Sequence, residues 1–412
     1  MAKKTVADVE VKAKRVLMRV DFNVPLDNDL RITDDRRITK ALPTIQNVLE
    51  RGGRLILMSH LGRPEGDPEA DARFSLAPCA KRLSELLGQE VAIVPDCVGS
   101  GVVEAVNKLQ DGQCCMLENL RFHKAETIKD KDAAADADKR TQKDGFARQL
   151  ADLADVYVND AFGTCHRDNA SMLTVPQLMA PKACVTGFLV QKELQFLGDT
   201  LADPARPFVA ILGGAKVSDK IGVIEALLGK CDAILIGGAM AYTFSAAQGG
   251  KVGNSLCEMD KTDLASRLID QAGDKLHLPL DTVCAIEIQE GVDTTTVPSG
   301  QIPDDLQGLD VGPKTITAFR EVIGPAKTIV WNGPMGKFEV KPFDVGTIDI
   351  AHAVADATDA GATSIIGGGD SAAAVDVAGL EDRMTHISTG GGASLEFLEG
   401  KSFKPIEVLD EA

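Results

Sequence analysis

The chain is poor in aromatic residues and contains a single tryptophan, although 44% of its 412 residues are hydrophobic. Its cores must therefore be built from Val, Ile, Leu and Ala, as in parallel strands that helices cover on both faces. Positive charge is also scarce, because 61 Asp and Glu against 44 Lys and Arg give a formal net charge of −17. Such a surface repels nucleic acid and anionic membranes, so we expect neither as a partner.

Several sequence signals are missing, and each absence argues against a class of protein. The nine cysteines include no C-x-x-C pair, which favours reduced, buried thiols over a disulfide framework or a zinc site. The N-terminal stretch MAKKTVADVEVKAKR has no apolar signal-peptide core, and no run approaches the ~20 apolar residues of a membrane span. We therefore expect a cytoplasmic protein. Neither a P-loop motif nor a dinucleotide-binding glycine fingerprint after a strand is present.

Short apolar runs alternate with helical patterns along the chain, which predicts βαβ units and parallel sheets. The runs are too many for one ordinary sheet, and the chain is too long for one ordinary core. We predict an α/β fold with two doubly wound, Rossmann-like parallel-sheet domains that are joined by a helix, with a hinge and a cleft between them. The predicted strands are Arg15–Val20, Arg54–Met58, Val91–Val94, Cys114–Leu117, Asp155–Val158, Phe208–Leu212, Ala233–Ile236, His277–Leu280, Thr328–Trp331, Thr363–Ile366 and Thr385–Ser388.

The predicted domain boundary is a helical pattern over Val190–Leu201 with prolines on both sides. The predicted parts are an N-terminal domain over 1–185, an interdomain helix over 186–204 and a C-terminal domain over 205–399. The segment Lys124–Lys143 is polar, charged and rich in alanine, and we interpret it as a solvated loop with some helix.

In open α/β sheets, ligands bind at the carboxyl ends of the strands, and in the first half these positions carry basic residues. Any single arginine there is most simply explained by a surface ion pair, but their repetition at successive strand ends favours a common site. Arginine's planar fork suits carboxylate and phosphate oxygens, so the predicted ligand is small and multiply anionic. The basic residues concerned are Arg37, His60, Arg63, Arg121, His166 and Arg167, and Asp21 and Asn23 follow the first strand.

In the second half the same positions carry glycines, which let backbone N–H groups approach phosphate oxygens closely. One Gly-Gly pair after a strand is often only a tight turn, but five glycine turns in one half predict a phosphate cradle. Lys216 and Lys220, at a predicted helix start, can reach the same phosphates, and Asp370 is a plausible Mg²⁺ contact. The turns begin at Gly213-Gly214, Gly237-Gly238, Gly333-Pro334, Gly367-Gly368 and Gly390-Gly391.

A basic pocket in one domain and a phosphate cradle in the other predict a phosphoryl group transferred between them. That reaction needs positioning and charge stabilisation, and a carboxylate acceptor needs no general base. Two alternatives remain. An NAD-dependent oxidoreductase would require a glycine fingerprint in the first half, and a non-catalytic binding protein that closes on an anion would not need a second, separate cradle.

Seven motifs, taken in order, resemble those of the phosphoglycerate kinases and cover nearly the whole chain. They are Arg19–Pro25, Ser59–Pro64, Glu118–Phe122, Asn159–Arg167, Gly213–Lys220, Trp331–Gly336 and Gly367–Ser371. The resemblance implies reversible, Mg²⁺-dependent, in-line phosphoryl transfer between 1,3-bisphosphoglycerate and ADP, which gives 3-phosphoglycerate and ATP. It also implies a monomer whose last residues, 400–412, return to the first domain.

The resemblance also implies residue roles. The residues implied to hold 3-phosphoglycerate are Asp21, Asn23, Arg37, His60, Leu61, Gly62, Arg63, Arg121 and Arg167. Those implied to hold the nucleotide are Gly213, Gly214, Lys216, Lys220, Gly237, Gly238, Asn332, Pro334, Glu339, Gly368, Gly369, Asp370 and Ser371, with Asp370 also binding Mg²⁺. Arg37, Lys216, Gly391 and Gly392 are implied to stabilise the transferring group. Arg36 is the alternative to Arg37, because the two are adjacent.

Overall fold

A computed structural model describes residues 2–412, except for the side chain at position 199. The chain divides into two compact units, the first running up to Leu194 and including Ser402–Ala412, the second spanning Gln195–Lys401. Each contains a six-stranded parallel sheet, so the predicted α/β class with two parallel-sheet domains is confirmed. The domain boundaries given above remain predictions.

The first unit is built on a sheet of order β3-β4-β2-β1-β5-β6, in which every neighbouring pair is parallel. β1 and β2 are buried almost throughout, because helices cover both faces. The strands are β1 (Arg15–Val20), β2 (Arg54–Met58), β3 (Val91–Val94), β4 (Cys114–Leu117), β5 (Val156–Asp160) and β6 (Cys184–Thr186). The helices are α1 (Arg36–Thr39), α2 (Leu42–Glu50), α3 (Pro68–Asp71), α4 (Ala77–Leu87), α5 (Ser100–Asn107), α6 (Asp130–Ala135), α7 (Ala137–Ala151), α8 (Val175–Met179) and α9 (Phe188–Leu194).

The second unit is built on a second parallel sheet, whose strands run β10-β8-β7-β15-β16-β17. If the six strands are numbered 1 to 6 in chain order, their order across the sheet is 3-2-1-4-5-6. The chain therefore builds outwards from β7 in one direction and from β15 in the other, and a crevice opens between these two strands. The strands are β7 (Phe208–Leu212), β8 (Ala233–Ile236), β9 (Lys251–Val252), β10 (Leu276–His277), β11 (Asp281–Ala285), β12 (Thr295–Pro298), β13 (Gln301–Ile302), β14 (Gln307–Val311), β15 (Thr328–Asn332), β16 (Thr363–Gly367) and β17 (His386–Ile387). The helices are α10 (Thr200–Ala202), α11 (Ile221–Leu228), α12 (Met240–Ala247), α13 (Thr262–Ala272), α14 (Pro313–Ile323), α15 (Val345–Asp359), α16 (Gly369–Val377) and α17 (Gly392–Leu398).

A smaller antiparallel sheet, β12-β11-β14, belongs to the second unit and was not predicted from the sequence. The single strand predicted at His277–Leu280 is wrong in its bounds, because the chain forms β10 before Pro279 and β11 after it. Proline lacks the N–H that a strand interior donates to its neighbour, so it separates the two strands.

The last helix of the chain, α18 (Lys404–Glu407), lies in the first unit. The residues after it contact the N-terminal segment and the sheet edge. Lys3 Nζ donates to the carbonyl of Leu409 at 2.7 Å, and Asp410 N donates to the carbonyl of Cys184 in β6 at 2.8 Å.

The prediction of a solvated loop with some helix over Lys124–Lys143 is wrong about the loop, because most of the segment is helical, and two of its charged side chains are fully buried. Lys143 Nζ, within α7, donates to Asp130 Oδ1 at 2.8 Å and to the carbonyl of Asp168 at 2.6 Å. A buried ammonium is tolerated when it is paired in this way, and the polarity of a segment does not reveal such pairing.

The nine cysteines are all free thiols, and Cys257 is the one that is not fully buried. Within residues 2–412, no helix has the combination of length and apolar character that crossing a membrane would demand.

Candidate active site

The carboxyl end of β1 in the first unit leads into Asp21, a buried carboxylate with cationic neighbours. Arg37 Nη1 donates to Asp21 Oδ2, and His60 Nδ1 lies 3.9 Å from Asp21 Oδ1. Burial alone would raise the pKa of this carboxyl, but the charges of Arg37 and Arg19 and the hydrogen bond from Arg37 outweigh it and lower the pKa to about 2. Asp21 is therefore ionised at neutral pH and holds Arg37 in place.

His60, at the end of β2, is also buried and is kept neutral. Burial is the main cause that holds its pKa well below the ordinary value, and the charges of Arg19, Arg121 and Arg37 add to it, against the opposing effect of Asp21. Arg19 Nη2 lies 3.1 Å from His60 Nδ1. Because a guanidinium can only donate, Nδ1 must be the acceptor, so the proton sits on Nε2 and is available to an anionic ligand.

Arg19 is a component of the site that sequence reasoning missed. Its fully buried side chain donates from Nε to Ser171 Oγ at 3.0 Å, and Ser171 Oγ donates to Glu126 Oε1 at 2.6 Å. Glu126 Oε2 also accepts from Ser171 N at 2.9 Å. A buried chain of polar contacts, Glu126–Ser171–Arg19–His60, thus ends at His60, beside Asp21. The available signal was an arginine inside an otherwise apolar strand.

The turn after β4 places Arg121 beside the turn after β2. Arg121 Nη1 donates to the carbonyl of Gly62 at 2.5 Å, and Gly62 N donates to Asn23 Oδ1 at 2.8 Å. The buried Asn119 amide fixes both turns, since its Oδ1 accepts from Arg121 N at 3.0 Å and its Nδ2 donates to the carbonyl of Leu61 at 2.7 Å.

Arg121 carries an unbalanced positive charge. Burial lowers the pKa of its guanidinium most, the charges of Arg167 and Arg19 lower it further, and the result is about 10. Its buried Nε has no hydrogen-bond partner among the described atoms. A bound anion would relieve the repulsion and satisfy that donor.

Two other predicted arginines are more accessible. Arg63 and Arg167 are exposed, and Arg167 Nε donates to His166 Nε2 at 3.1 Å. Arg36 is held by Asp34, with Nε 2.8 Å from Oδ2, whereas Arg37 contacts Asp21. The adjacent arginines therefore have different partners, and only Arg37 pairs with the buried carboxylate of the cluster.

In the second unit, three of the predicted glycine turns pack against one another at the carboxyl ends of β7, β8 and β15. Gly213 N donates to the carbonyl of Asn332 at 2.9 Å, and a Cβ at Gly213 would lie 2.0 Å from the carbonyl oxygen of Pro334. Gly238 has φ +67°, and a Cβ there would lie 2.5 Å from the amide nitrogen of Gly214. These positions therefore require glycine, because no larger residue fits between the turns.

Lys220 lies beneath these turns. Its Nζ donates to Asn332 Oδ1, and burial lowers its pKa to about 8, although the nearby carboxylates of Asp219 and Asp370 act in the opposite direction. The buried Nδ2 of Asn332 has no hydrogen-bond partner among the described atoms. Ser371 Oγ, in the first turn of α16, accepts from Gly333 N at 2.6 Å. The edge thus offers a lysine and an unpaired amide donor, with Asp370 close by.

Two predicted nucleotide-site residues, Lys216 and Glu339, are exposed. Lys216 was predicted to share a helix start with Lys220, which is wrong, because α11 begins at Ile221 and Lys216 is exposed in the preceding bend. Burial raises the pKa of the Glu258 carboxyl, but hydrogen bonds from Ser218 and the Lys216 charge outweigh it and lower the pKa. Glu339 is exposed and forms an ion pair with Lys337 at 3.2 Å.

The turn at Gly390–Gly392 follows β17, the edge strand beside β16. Its conformation is held by Ser388 Oγ, which accepts from Gly390 N at 3.1 Å and lies 2.6 Å from Ser394 Oγ. Gly391 has φ +49°, and a Cβ at Gly391 or Gly392 would meet no atom within 4 Å. The backbone of both residues is therefore open to a ligand.

Comparisons with known proteins agree on one family. The family model described as phosphoglycerate kinase matches residues 6–401. A curated relative from Rhodopirellula baltica, named phosphoglycerate kinase, is 57% identical over the full length of both chains, and one of the same name from Chlorobium limicola is 54% identical over the full length of both. Among solved structures, phosphoglycerate kinase from Coxiella burnetii has a TM-score of 0.82 at 39% identity, covering 98% of each chain. The enzyme from Pyrococcus horikoshii OT3 has a TM-score of 0.85 at 30% identity, again with 98% of each chain covered.

Proposed function

This chain belongs to the phosphoglycerate kinase family. We propose that its guanidinium cluster, formed by Arg37, Arg63, Arg121 and Arg167, holds 3-phosphoglycerate. We propose that the glycine turns at the carboxyl ends of β7, β8 and β15 hold ADP or ATP. The reaction is the reversible transfer of a phosphoryl group between 1,3-bisphosphoglycerate and ADP. The observation that carries the assignment of the sites is Arg121, whose pKa is lowered to about 10 by burial and by neighbouring arginines and whose buried Nε lacks a partner. A cationic cluster of this kind is stabilised by a multiply charged anion.

The proposed 3-phosphoglycerate site uses donors of different types. Arg37, Arg63, Arg121 and Arg167 supply guanidinium groups, and His60 supplies Nε2–H. Asp21 orients Arg37, and Asn23 orients the Leu61–Gly62 turn through its contact with Gly62 N. Because Asp21 and Asn23 are already engaged, their proposed role is to position the cationic groups.

The proposed nucleotide site combines backbone amides with Lys220 and Ser371. Gly214, Gly368 and Gly369 offer approaches free of side chains, and Gly213 lets the turn pack closely against Pro334 beside them. Lys220 neutralises phosphate charge. Three further roles are carried over from the family. They place Gly237 and Gly238 near the base, Asn332 and Pro334 near the phosphates, and Glu339 on the ribose.

Asp370 fits the proposed Mg²⁺ contact. It lies in the first turn of α16, next to Ser371, and its carboxylate is close enough to Lys220 to influence the pKa of that ammonium. A single carboxylate with phosphate oxygens is an ordinary donor set for Mg²⁺, which neutralises phosphate charge when it is bound.

The proposed chemistry moves no proton through the protein. In the ATP-forming direction, a terminal β-phosphate oxygen of ADP forms a bond to the acyl phosphorus, and the phosphorus bond to the 3-phosphoglycerate carboxylate breaks. Arg37, Lys216 and the N–H groups of Gly391 and Gly392 stabilise the charge in transit. Since the donor and acceptor must come into line, we expect closure when both ligands bind, which small-angle scattering would detect as compaction. No compaction in the ternary complex would contradict this step.

A coupled assay with ATP, Mg²⁺ and 3-phosphoglycerate tests the proposal. We expect turnover that depends on all three and fails with NAD in place of ATP. Tight binding of both ligands without turnover would favour a binding protein, and hydride transfer would favour an oxidoreductase. We further propose a cytoplasmic monomer, and light scattering after gel filtration that gives twice the mass of one chain would contradict the monomer.

A further inference from the structure

We propose that Asp96, Cys97 and His123 form a binding site for Zn²⁺ or a cation of similar preference, separate from the guanidinium cluster. A carboxylate oxygen, a thiol sulfur and an imidazole nitrogen from these residues lie within 4.8 Å of one another. Zinc takes all three donor types at about 2.0–2.3 Å, so small side-chain movements would bring them to one ion. Mg²⁺ prefers an all-oxygen environment, which distinguishes this site from the contact proposed at Asp370.

The fold brings these residues together from two separate turns. Asp96 and Cys97 follow β3, and His123 follows the short 3₁₀ turn Leu120–Phe122 after β4. β3 and β4 are parallel neighbours with Val94 opposite Leu117, so the turns that follow them lie at the same edge. The absence of a C-x-x-C pair does not exclude this group of three ligands, because His123 lies far along the chain from Asp96 and Cys97.

Each ligand is positioned by its own contacts. His123 Nε2 lies 2.7 Å from Asp96 Oδ1, and the imidazole stacks on Phe146 with ring centroids 4.9 Å apart. The buried Cys97 Sγ donates to the carbonyl of Glu118 at 2.9 Å. The Asp96 side chain is 53% exposed, so a cation and a water can approach from that side. An Asp96–His123 ion pair makes no use of the neighbouring thiol, whereas a bound Zn²⁺ would use all three groups as ligands.

Binding follows a balanced exchange of ligands. The Cys97 S–H bond breaks and a sulfur–zinc bond forms, with the thiol proton released to solvent. His123 binds through Nε2, so its proton is carried on Nδ1, and Asp96 supplies one oxygen. Water takes the fourth position, as is usual when a protein provides three ligands.

The consequence for catalysis rests on the function proposed above. His123 directly follows the turn that carries Arg121, so bound Zn²⁺ would restrain that turn. We expect a change in KM for 3-phosphoglycerate with little change in kcat. Metal binding itself requires no substrate, so it can be tested independently of the proposed function.

The test uses the full-length protein after chelator treatment, titrated with Co²⁺ or Zn²⁺ alone. We expect about one equivalent of Co²⁺ to produce a near-ultraviolet thiolate-to-metal absorption band. Cys97→Ser should abolish the band and weaken Zn²⁺ binding at least about 100-fold. Losing a residue that only hydrogen-bonds to a metal ligand costs up to about 100-fold, so losing a ligand should cost at least as much. His123→Gln should also weaken Zn²⁺ binding.

The matched control is Cys257→Ser, which removes the one cysteine that is not fully buried and should leave band and affinity unchanged. Circular dichroism and metal-free kinase activity would establish that each variant is folded. A Co²⁺ complex without a thiolate band, a band that survives Cys97→Ser, or a band lost in Cys257→Ser would overturn the proposal.

Discussion

The pH dependence of nucleotide binding provides a direct test of Lys220. Burial lowers the pKa of this ammonium from 10.5 to about 8, although Asp219 and Asp370 oppose the shift. Nucleotide phosphates favour the charged form, so binding should take up a proton wherever the free protein has lost it. At pH 9 about one tenth of the free protein would carry the charge, so the affinity for ADP should fall about 10-fold between pH 7 and pH 9.

Isothermal titration calorimetry at fixed free Mg²⁺ would measure this effect, and two buffers of different ionisation enthalpy would count the proton. We expect Lys220→Met to bind ADP more weakly and to lose most of the pH dependence. The control is Lys230→Met, which removes an exposed lysine shortly after α11. Its affinity for ADP should still fall about 10-fold between pH 7 and pH 9, because Lys220 is intact. Equal affinities for wild type at pH 7 and pH 9, as an ordinary lysine would give, would refute the reasoning.

Three substitutions test other parts of the account, each with its own control. Arg37→Ala should lower kcat about 10²–10³-fold, which raises the activation free energy by about 3–4 kcal/mol, because it removes a charged contact to the transferring group. Arg36→Ala should leave steady-state kinetics nearly unchanged. The reverse result would show that Arg36 acts instead of Arg37. Lys143→Met should lower the free energy of unfolding in urea by about 3 kcal/mol, since it breaks a buried ion pair, whereas Lys139→Met, half exposed one turn earlier, should change it by less than about 0.5 kcal/mol. Gly213→Ala should cost about 1–3 kcal/mol of stability and weaken nucleotide binding, because its Cβ would meet Pro334, whereas Gly145→Ala in open space within α7 should stabilise by about 0.5–1 kcal/mol. An unchanged melting temperature in Gly213→Ala would contradict the packing of the turns.

The sequence was most informative for the parallel sheets. Runs such as Arg54–Met58 and Phe208–Leu212 were predicted with their observed bounds, because buried parallel strands are continuously apolar and end at polar or glycine-containing turns. The three-residue strand β6 was missed, since three residues are too few to form a recognisable pattern. The antiparallel strands β11, β12 and β14 were also missed. For β12 the reason is that the strand is largely exposed and carries no apolar run.

The sequence predicted candidate-site residues only where they follow strands. Asp21, His60 and Arg121 were predicted in this way, whereas Arg19 and Glu126 were not, because a buried charge is recognised only through its partners. Ser171, which joins them, lies far along the chain from Arg19. The contact of Arg37 with Asp21 and of Arg36 with Asp34 likewise depends on backbone direction in α1, which adjacent identical residues do not reveal.

The central claim is that two chemically different half-sites bind two different ligands, and a crystal structure with 3-phosphoglycerate and a non-hydrolysable ATP analogue tests it most directly. We predict the 3-phosphoglycerate phosphate or carboxylate oxygens on Arg37, Arg121 and His60 Nε2, and the nucleotide phosphates on Lys220 and the turn at Gly213–Gly214. A 3-phosphoglycerate molecule that touches none of those arginines, or a nucleotide bound away from the glycine turns, would contradict the account.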